Sequence, residues 1–386
     1  MQLQQTLATP KLYIGIDVHK KTWSVHYKTD ICDHKTITMP PEPQLMADYV
    51  FTHFPHHEVK VAYEASCCGF SAARYFLNLA WEVLVVHVPD MPKTDKQNYQ
   101  KTDKLDCRNI CNWLATGQLK SVHIPTEQQE QFCNLLRQRF RVTKQLRNSK
   151  CNIKSALLYF GMAIPEQLDK PHWTKDFITW LQQLEFTDIA GKYSMDSKLR
   201  AYTYQEQDYR LLATQLRAYA KMHYKKDYEL LKTVPGVGGY MAAAILAELG
   251  DIRRFKNERQ FSSYIGMVPG IHQSASTEKQ MGITPRCRAL IRTYLVQAAW
   301  QALRRDPELQ AYFRTHVGKN VKSVIIKIAH KLVKRIYSVI KNETPYVCNY
   351  QNTNNTKLDK KLLDTIEQNI KTEDYDIDID TEIDKD

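Results

Sequence analysis

The sequence predicts an α/β domain first, then a helical coiled-coil arm, and last an all-α domain with a helix-hairpin-helix. Residues 11–120 alternate short β-like runs with helical segments. Residues 126–160 carry apolar side chains at helical spacing. Residues 231–341 are helical around one glycine-rich turn. We therefore expect the α/β domain over residues 11–122, the arm over 123–230, the all-α domain over 231–345 and an acidic, disordered tail over 346–386.

The composition is that of a soluble protein without disulfides. Of the 386 residues, 43% are hydrophobic and 25% are charged. No apolar run approaches the roughly 20 residues that a membrane span needs, and the amino terminus lacks a signal-peptide pattern. The nine cysteines are scattered without a CxxC pair, which indicates reduced thiols. We expect a cytoplasmic protein with no membrane partner, in which Cys107 and Cys111 serve packing rather than half of a zinc site.

The charge is divided unevenly along the chain. The whole sequence carries +12, but residues 351–386 hold eleven acids and five bases, a net charge of −6. The first 350 residues therefore carry +18, with 49 bases against 31 acids. Lysines and arginines that face phosphates gain affinity by releasing counterions, so this basic body predicts a polyanionic partner.

The first domain should open with a meander of three early strands, followed by βα units. The first and fourth strand candidates are continuous apolar runs, which is typical of buried central strands. The strand candidates that can be placed are residues 12–18, 23–27, 59–63 and 83–88, and the helix candidates are residues 44–54, 70–79 and 104–116.

The arm should begin with a helix whose exposed face carries one sign of charge. Residues 131–160 contain seven bases and no acid, which favours contact with phosphates over an ordinary solvated face that mixes signs. The alternative is the basic surface of a coiled coil. A second helix, at about residues 205–232, should pair back on the first. The seven bases are Arg137, Arg139, Arg141, Lys144, Arg147, Lys150 and Lys154, of which Arg137, Arg141, Lys144 and Arg147 are our candidate nucleic-acid contacts.

The third domain opens with LLKTVPGVGGYMAAAILAEL, which matches a helix-hairpin-helix. Gly236 and Gly238 would let the turn bring backbone N–H groups against a phosphate, where the following helix N-terminus also favours an anion. A turn that only packs two helices is the alternative. The last helix, VKSVIIKIAHKLVKRIYSVIKN, has an apolar stripe and should carry Arg335 with four lysines on its polar surface.

Acidic residues end two of the predicted buried strands. Asp17 closes the apolar run YIGID and Glu64 closes VKVAYE. A carboxylate at the exit of a buried strand is costly to desolvate unless a metal or a hydrogen-bonding group receives it. Two such acids can share one edge of a sheet.

Two further acids open the helix in KTDKLDCRNICNWLA. The spacing of Asp103 and Asp106 puts both on one helical face, whereas Asp95 in the duplicate KTDK lacks a partner three residues on. Either aspartate taken singly would be interpreted as an N-terminal helix acid that the helix dipole favours. Four convergent carboxylates predict bound Mg²⁺ or Mn²⁺, because hard oxygen ligands select those ions. Two such ions can support phosphoryl transfer.

The order IGID, YEAS, KTDxxD resembles the DEDD domain of the transposases and site-specific recombinases of one insertion-sequence family, which includes the Piv-type DNA invertases. The basic residues His19, Lys20 and Lys21 after the first acid are also typical of that family. The resemblance implies an RNase H-like (RuvC-like) fold for the first domain. It also implies that Asp17, Glu64, Asp103 and Asp106 are the catalytic metal ligands.

The segment FSSYIGMVPGIHQSASTEKQMGITPRCRALIRTYL resembles the carboxy-terminal transposase domain of the same family. Its nucleophilic serine maps best to Ser274. Ser276 stays open, because Ala275 stands where the family usually has glycine after the serine. Cys287 likewise replaces a glycine common to that family. A serine hydroxyl needs activation, which nearby metal ions can supply.

The resemblance implies a recombinase that cuts and rejoins double-stranded DNA, at element ends and target, as a homodimer or homotetramer. It further implies a structured guide RNA, for which the basic face of residues 137–154 is our candidate holder. The alternatives are a RuvC-like structure-selective endonuclease that cuts by water attack and a non-enzymatic DNA-binding protein. An actin-like sugar kinase is disfavoured, because Val18, His19 and Lys20 follow Asp17 where a phosphate-binding turn needs Gly or Thr.

Overall fold

The computed structural model describes residues 9–65, 68–87, 89, 103–170, 172–274, 277–284, 287–316 and 318–348. Residues 103–104, 270–274 and 277–281 are described by their backbone alone. Asp95, Ser276 and the acidic tail beyond residue 348 lie outside the described residues. The chain divides into two compact units, Met1–Gln128 and Gln129–Asp386.

The described part of the first unit is a mixed five-stranded sheet with helices on both faces, which confirms the predicted α/β class. Its elements are β1 (Lys11–Val18), β2 (Trp23–Thr29), β3 (Ile37–Met39), α1 (Pro43–His53), β4 (Glu58–Glu64), α2 (Ser71–Asn78), β5 (Glu82–Val86) and α3 (Asp103–Ala115). The strands lie in the order β3-β2-β1-β4-β5, with β1 antiparallel to β2 and parallel to β4. The continuous apolar run of β1 thus forms the central strand, whereas the fourth candidate is β5 at the edge of the described sheet.

Side-chain alternation gives the sheet two different faces. Ile14 and Ile16 of β1 are fully buried in the core that α1 and α2 complete. Gly15 and Asp17 belong to the opposite face, which α3 covers through Ile110 and its neighbours. Both faces of this sheet are therefore covered, which accounts for the apolar character of its central strands.

The described part of the second unit is mostly helical. Its elements are α4 (Glu127–Tyr159), α5 (Lys175–Gln182), α6 (Ile189–His223), α7 (Lys225–Lys232), α8 (Gly239–Leu249), a short 3-10 turn (Ile252–Arg254), α9 (Glu258–Ile265), β6 (Pro269–Ser274), β7 (Thr277–Ile283), α10 (Ala289–Arg305), α11 (Pro307–Arg314) and α12 (Val321–Asn342). No helix in the described ranges combines the length and apolar character that a membrane crossing requires.

The long helices α4 and α6 run antiparallel. The rings of Phe132, early in α4, and Tyr219, late in α6, lie 4.6 Å apart. Farther along the pair, the Ser149 hydroxyl donates to Gln205 Oε1 at 2.8 Å. The two helices and α5 share one apolar cluster. The expected pairing is present, while a coiled-coil arm as a separate domain stays a prediction.

The second long helix begins earlier than the predicted residue 205. Asp188 caps it by accepting from the backbone N–H of Ala190 at 2.8 Å. Buried Met195 and Leu199 extend the apolar stripe toward this cap. The helix ends at His223, and the residues to 232 form the separate helix α7. Many residues between 189 and 205 are polar, so the apolar stripe of this helix was recognised only from its packing against α5.

Arg139 is not on the exposed basic face where the sequence placed it. Its side chain is fully buried, with the guanidinium carbon 4.1 Å from the ring centre of Tyr209 and 4.0 Å from that of Tyr240. Burial opposes the charge, but the surrounding tyrosines raise the pKa of Arg139 above its ordinary value. The ring faces stabilise the cation in place of solvent.

The predicted all-α third domain is wrong in one respect, because it contains the antiparallel hairpin β6–β7. Ser274 pairs with Thr277 at its tip, and Pro269 pairs with Ile283 at its base. The backbone of Thr284 continues the pairing through an N–H bond to Val268 O at 3.1 Å. The polar sequence IHQSASTEKQ lacks the apolar alternation that would have indicated strands.

Arg335 was also assigned to a polar surface, and it is instead nearly buried. Its guanidinium binds Asp306, which is fully buried, at 2.8 Å and Glu308 at 2.6 Å. The Tyr346 hydroxyl donates to the same Asp306 carboxylate at 3.0 Å. This ion pair joins the start of α11 to α12, so Arg335 is a packing residue rather than a surface base.

Candidate active site

Asp17 is the penultimate residue of β1 and Glu64 is the last residue of β4, and the two strands are adjacent and parallel. In the pairing of β1 with β4, Gly15 lies opposite Ala62 and Ile16 lies opposite Tyr63. One further step in this register brings Asp17 level with Glu64, on strands about 4.8 Å apart. Alternation puts both acids on the face that α3 covers. Asp17 and Glu64 therefore lie at the same end of two adjacent strands, the position expected from the sequence.

The Asp17 carboxylate lies in a largely enclosed position. Its side chain is 17% exposed, and Oδ2 lies 3.1 Å from Nε2 of His19. His19 stands in the short β1–β2 turn, which is closed by its N–H bond to Thr22 O at 3.2 Å. The basic turn after the first acid thus places an imidazole directly against the carboxylate.

Helix α3 lies across Gly15 and runs opposite to β1. The Cys111 thiol donates to Tyr13 O at 3.3 Å, and Cys107, one turn earlier, lies over Gly15. The helix therefore begins near the edge where Asp17 and Glu64 lie. Asp106, half-buried, stands in its first turn, as does position 103, for which the backbone alone is described.

Gly15 is a site residue that the sequence analysis missed. A methyl group at this position would lie 2.1 Å from Cys107 O and 2.5 Å from Cys111 N. Only glycine lets the helix backbone approach so closely. The signal was present, because a glycine inside an otherwise apolar strand indicates close approach of another backbone.

The buried cysteines of α3 act as packing residues, as expected. Burial raises the pKa of Cys107 to about 11 and that of Cys111 to about 12, so both thiols stay protonated. Within the described side chains, no group of three or more His, Cys, Asp and Glu is assembled to hold a metal ion. The predicted set includes Asp103, whose side chain is not described. The oxygen donors at this edge fit Mg²⁺ or Mn²⁺, and the four-carboxylate centre stays a prediction.

The basic face of α4 is partly occupied by contacts within the protein. Arg137 binds Glu248 through Nη2 at 2.9 Å and Nε at 3.3 Å. Arg288 Nη1 also lies 3.4 Å from Oε1 of the same buried carboxylate. Arg141, Lys144 and Arg147 are exposed. The free part of the predicted contact surface therefore lies beyond Arg137 along the helix.

The turn between α7 and α8 uses its two candidate glycines differently. Gly236 has a φ of 82°, and a methyl group there would lie 2.2 Å from Ala298 O in α10. Gly238 is exposed and extended, and a methyl group there would meet nothing within 4 Å. Packing therefore explains the glycine at position 236, which agrees with the alternative interpretation of a turn that only packs two helices. Gly238 stands free at the start of α8, where a phosphate could approach.

Ser274 is the last residue of β6, and its backbone pairs with that of Thr277 in β7. Its side chain is not described. The base of the hairpin is fixed by the Arg292 guanidinium, which donates to Thr284 O at 2.7 Å. Cys287 lies half-buried in the bend before α10. Residue 274 thus lies at one end of a backbone hairpin whose other end contacts α10.

Two family models match separate parts of the chain. The model for DEDD transposases, described as "Transposase", matches residues 14–161, and the model described as "Transposase IS116/IS110/IS902 family" matches residues 228–314. The first range includes all four predicted carboxylates. The second includes the α7–α8 turn and Ser274.

Curated relatives carry names of the same kind. The Sinorhizobium fredii protein y4qE, named as a transposase, is 27% identical over 72% of this chain and 67% of its own length. The transposase for insertion sequence element IS1111A of Coxiella burnetii is 24% identical over 64% of this chain and 69% of its own. The pilin gene-inverting protein of Moraxella bovis is 32% identical over 30% of this chain and 38% of its own.

Proposed function

Because this chain belongs to the IS116/IS110/IS902 family of insertion-sequence transposases, we propose that it cuts and rejoins double-stranded DNA at the ends of a mobile element and at its target. The observation that carries the proposal is the alignment of Asp17 with Glu64 on adjacent parallel strands, under the first turn of α3. Two carboxylates at one end of adjacent strands supply the hard oxygen ligands that Mg²⁺ and Mn²⁺ select.

Asp17, Glu64, Asp103 and Asp106 would hold Mg²⁺ or Mn²⁺ at this edge. When bound, such ions activate an attacking oxygen and stabilise the leaving oxygen in phosphoryl transfer. The protein's own contribution is to fix the carboxylates and to keep His19 against Asp17. Because His19 is half exposed, it can leave that carboxylate when a ligand enters.

Ser274 would act as the nucleophile. Its Oγ forms a bond to a DNA phosphorus and loses its proton, while the bond from phosphorus to the leaving DNA oxygen breaks and that oxygen takes up a proton. The phosphoserine conserves the bond energy for rejoining. Ser274 is the last residue of β6, and nucleophiles are commonly carried where a regular element gives way to a connecting segment.

The nucleic-acid contacts would come from the second unit. Arg141, Lys144 and Arg147 present an exposed basic face, with Arg137 at its start shared with Glu248. Gly236 shapes the α7–α8 turn, and Gly238 offers backbone N–H groups to a DNA phosphate. We assign the basic face to a structured guide RNA and the turn to DNA.

The proposed function assigns these roles to the domains expected from the sequence. They are a RuvC-like domain over residues 11–122, an arm over 123–230 and a helix-hairpin-helix transposase domain over 231–345. The tail over residues 346–386 has no assigned role. Cutting two element ends and a target requires more than one site, so the working form would be a homodimer or homotetramer.

The test is to trap the covalent intermediate. A plasmid carrying the sequences that flank the gene is incubated with the protein, Mg²⁺ and RNA transcribed from those flanks, and the reaction is stopped with denaturant. We expect a protein–DNA adduct that Ser274→Ala abolishes and Ser276→Ala retains. Mg²⁺-dependent cutting without any adduct would instead identify a structure-selective endonuclease, and the absence of cutting in every condition would favour a DNA-binding protein.

A further inference from the structure

A buried polar group links β2 to the first turns of α3. His26 of β2 is 4% exposed, with Nε2 at 2.6 Å from Asp33 Oδ1 and Nδ1 at 3.0 Å from Thr36 Oγ1. The other carboxylate oxygen of Asp33 accepts from Arg108 Nη2 of α3 at 2.9 Å. One carboxylate therefore joins a buried strand histidine to the helix that opens with Asp103.

The position of His26 explains why it needs these partners. It lies opposite Gly15 in the β1–β2 register, on the face that α3 covers. A buried imidazole is costly unless both ring nitrogens are hydrogen-bonded. An ionised Asp33 can only accept, so Nε2 carries the donated proton and Nδ1 accepts from the Thr36 hydroxyl. This assignment satisfies the whole ring.

The loop that carries Asp33 is itself fixed to β2. Thr29 N donates to Cys32 O at 2.9 Å, and His34 N donates to Tyr27 O at 3.0 Å. Asp33 also pairs with Lys28 in an isolated bridge. The carboxylate is therefore held on both sides by backbone hydrogen bonds, and it can act as a fixed point for a helix packed above it.

Two of the contacts between α3 and the sheet lie near the first turn of the helix. Gly15 sets its depth, because the helix backbone rests directly on that residue. The Arg108–Asp33 bond sets its rotation about its own axis. A side-chain carboxylate lies about 6 Å from a helix axis, so a rotation of about 20° displaces it by about 2 Å. Metal coordination tolerates only about 0.2 Å, which makes this rotation decisive for Asp103 and Asp106.

We propose that His26, Asp33 and Arg108 form a positioning brace that holds the first turn of α3 so that Asp103 and Asp106 meet Asp17 and Glu64 around a divalent cation. This inference rests on the proposed function. The three residues would be positioning residues, without contact to substrate or metal. They act through the orientation of the helix, and the ligand class at the site they support is a hard divalent cation.

The chain offers a matched control on the same two elements. Lys28 Nζ donates to Asn112 Oδ1 at 2.8 Å, so it also ties β2 to α3, but more than one helical turn farther from the predicted ligands. If the brace only stabilises the packing of α3 on the sheet, loss of the Lys28–Asn112 bond should weaken Mn²⁺ binding as much as loss of the brace. If the brace orients the first turn, loss of the Lys28–Asn112 bond should leave Mn²⁺ binding almost unchanged.

The experiment compares Arg108→Gln, Asp33→Asn and Lys28→Met in the full chain by calorimetric titration with Mn²⁺ and by hydrogen exchange of α3. Arg108 is half exposed, so its replacement leaves the fold intact even if Asp33→Asn does not. We expect Arg108→Gln and Asp33→Asn to weaken Mn²⁺ binding about tenfold, a change of about 1.4 kcal/mol, and to speed exchange in residues 103–108. Lys28→Met should keep Mn²⁺ affinity within about twofold.

Arg108→Lys, which retains a donor, should recover most of the affinity. Equal Mn²⁺ affinity in wild type, Arg108→Gln and Asp33→Asn would overturn the brace alone and leave the proposed function standing. Wild-type protein that binds no Mn²⁺, or binds it unchanged after Asp17→Asn, would overturn the proposed function and with it the purpose of the brace.

Discussion

The backbone carbonyl of Cys107 lies directly over Gly15, so close that a methyl group at position 15 would be 2.1 Å from its oxygen. This contact places α3 over the central strand β1, which carries Asp17 near its end. Close approach of two backbones, rather than a side-chain interaction, is thus what brings the helix acids toward the strand-end acids.

Replacing Gly15 with alanine should force α3 away from the sheet. We expect the free energy of unfolding to fall by about 3 kcal/mol, because the added methyl group meets backbone atoms that cannot yield. Divalent-ion binding should be lost together with stability. Urea denaturation of the variant measures the first effect. Gly238→Ala is the control, because its methyl group meets nothing within 4 Å, and equal destabilisation of both variants would contradict this assignment.

The two glycines of the α7–α8 turn should separate packing from DNA binding. Gly236→Ala should destabilise the second unit by more than about 2 kcal/mol, because its φ of 82° and its contact with Ala298 O both exclude a side chain. Gly238→Ala should leave the melting temperature unchanged but weaken DNA binding several-fold, measured by fluorescence anisotropy. Unchanged DNA affinity in Gly238→Ala would remove the turn from the DNA-binding surface.

Arg139 and Arg141 should behave oppositely although they are two residues apart. Arg139→Met should fold and keep its RNA affinity, because the buried cation is held by rings and an apolar chain of similar length can replace it at little cost. Arg141→Ala should leave stability within about 0.5 kcal/mol and weaken RNA binding, with a shallower dependence on salt. The reverse pattern in filter-binding and thermal-melting assays would contradict the basic-face assignment.

The stability of the first unit should decline in mild acid because of His26. Burial lowers the pKa of His26 below its ordinary 6.5, against the opposing effect of Asp33, and Arg108 and Lys28 also face the ring. The unfolded chain therefore binds the proton more readily, and the stability that the neutral imidazole provides is lost as pH falls from about 6.5 toward the folded-state pKa.

Urea denaturation between pH 8 and pH 5 tests this expectation. The difference in free energy of unfolding between wild type and His26→Gln should be constant above about pH 7 and should change below it. The pKa of His330 in the second unit is also lowered by burial, so His26→Gln should keep part of the acid sensitivity. If the difference in free energy of unfolding between wild type and His26→Gln does not vary with pH, His26 does not contribute to the acid sensitivity.

The sequence predicted the features that depend on local pattern. Apolar runs ending in Asp17 and Glu64 marked strands, and their shared edge follows from parallel pairing. The predictions from sequence failed where contacts between distant residues determine the environment of a side chain. Arg139 and Arg335 read as surface bases because a sequence shows charge but not the rings or the carboxylate that receive it. The β6–β7 hairpin is mostly polar, and Ile271, Met281 and Ile283 are too few to mark two strands by alternation.

The central claim is that carboxylates from β1, β4 and α3 form one divalent-cation site, and Mn²⁺ binding followed by electron paramagnetic resonance tests it most directly. Wild-type protein should bind Mn²⁺, and Asp17→Asn, Glu64→Gln, Asp103→Asn and Asp106→Asn should each weaken that binding at least tenfold, while Asp95→Asn should not. If Asp95→Asn and the four variants bind alike, or if wild type binds no Mn²⁺, the carboxylates do not form a metal site.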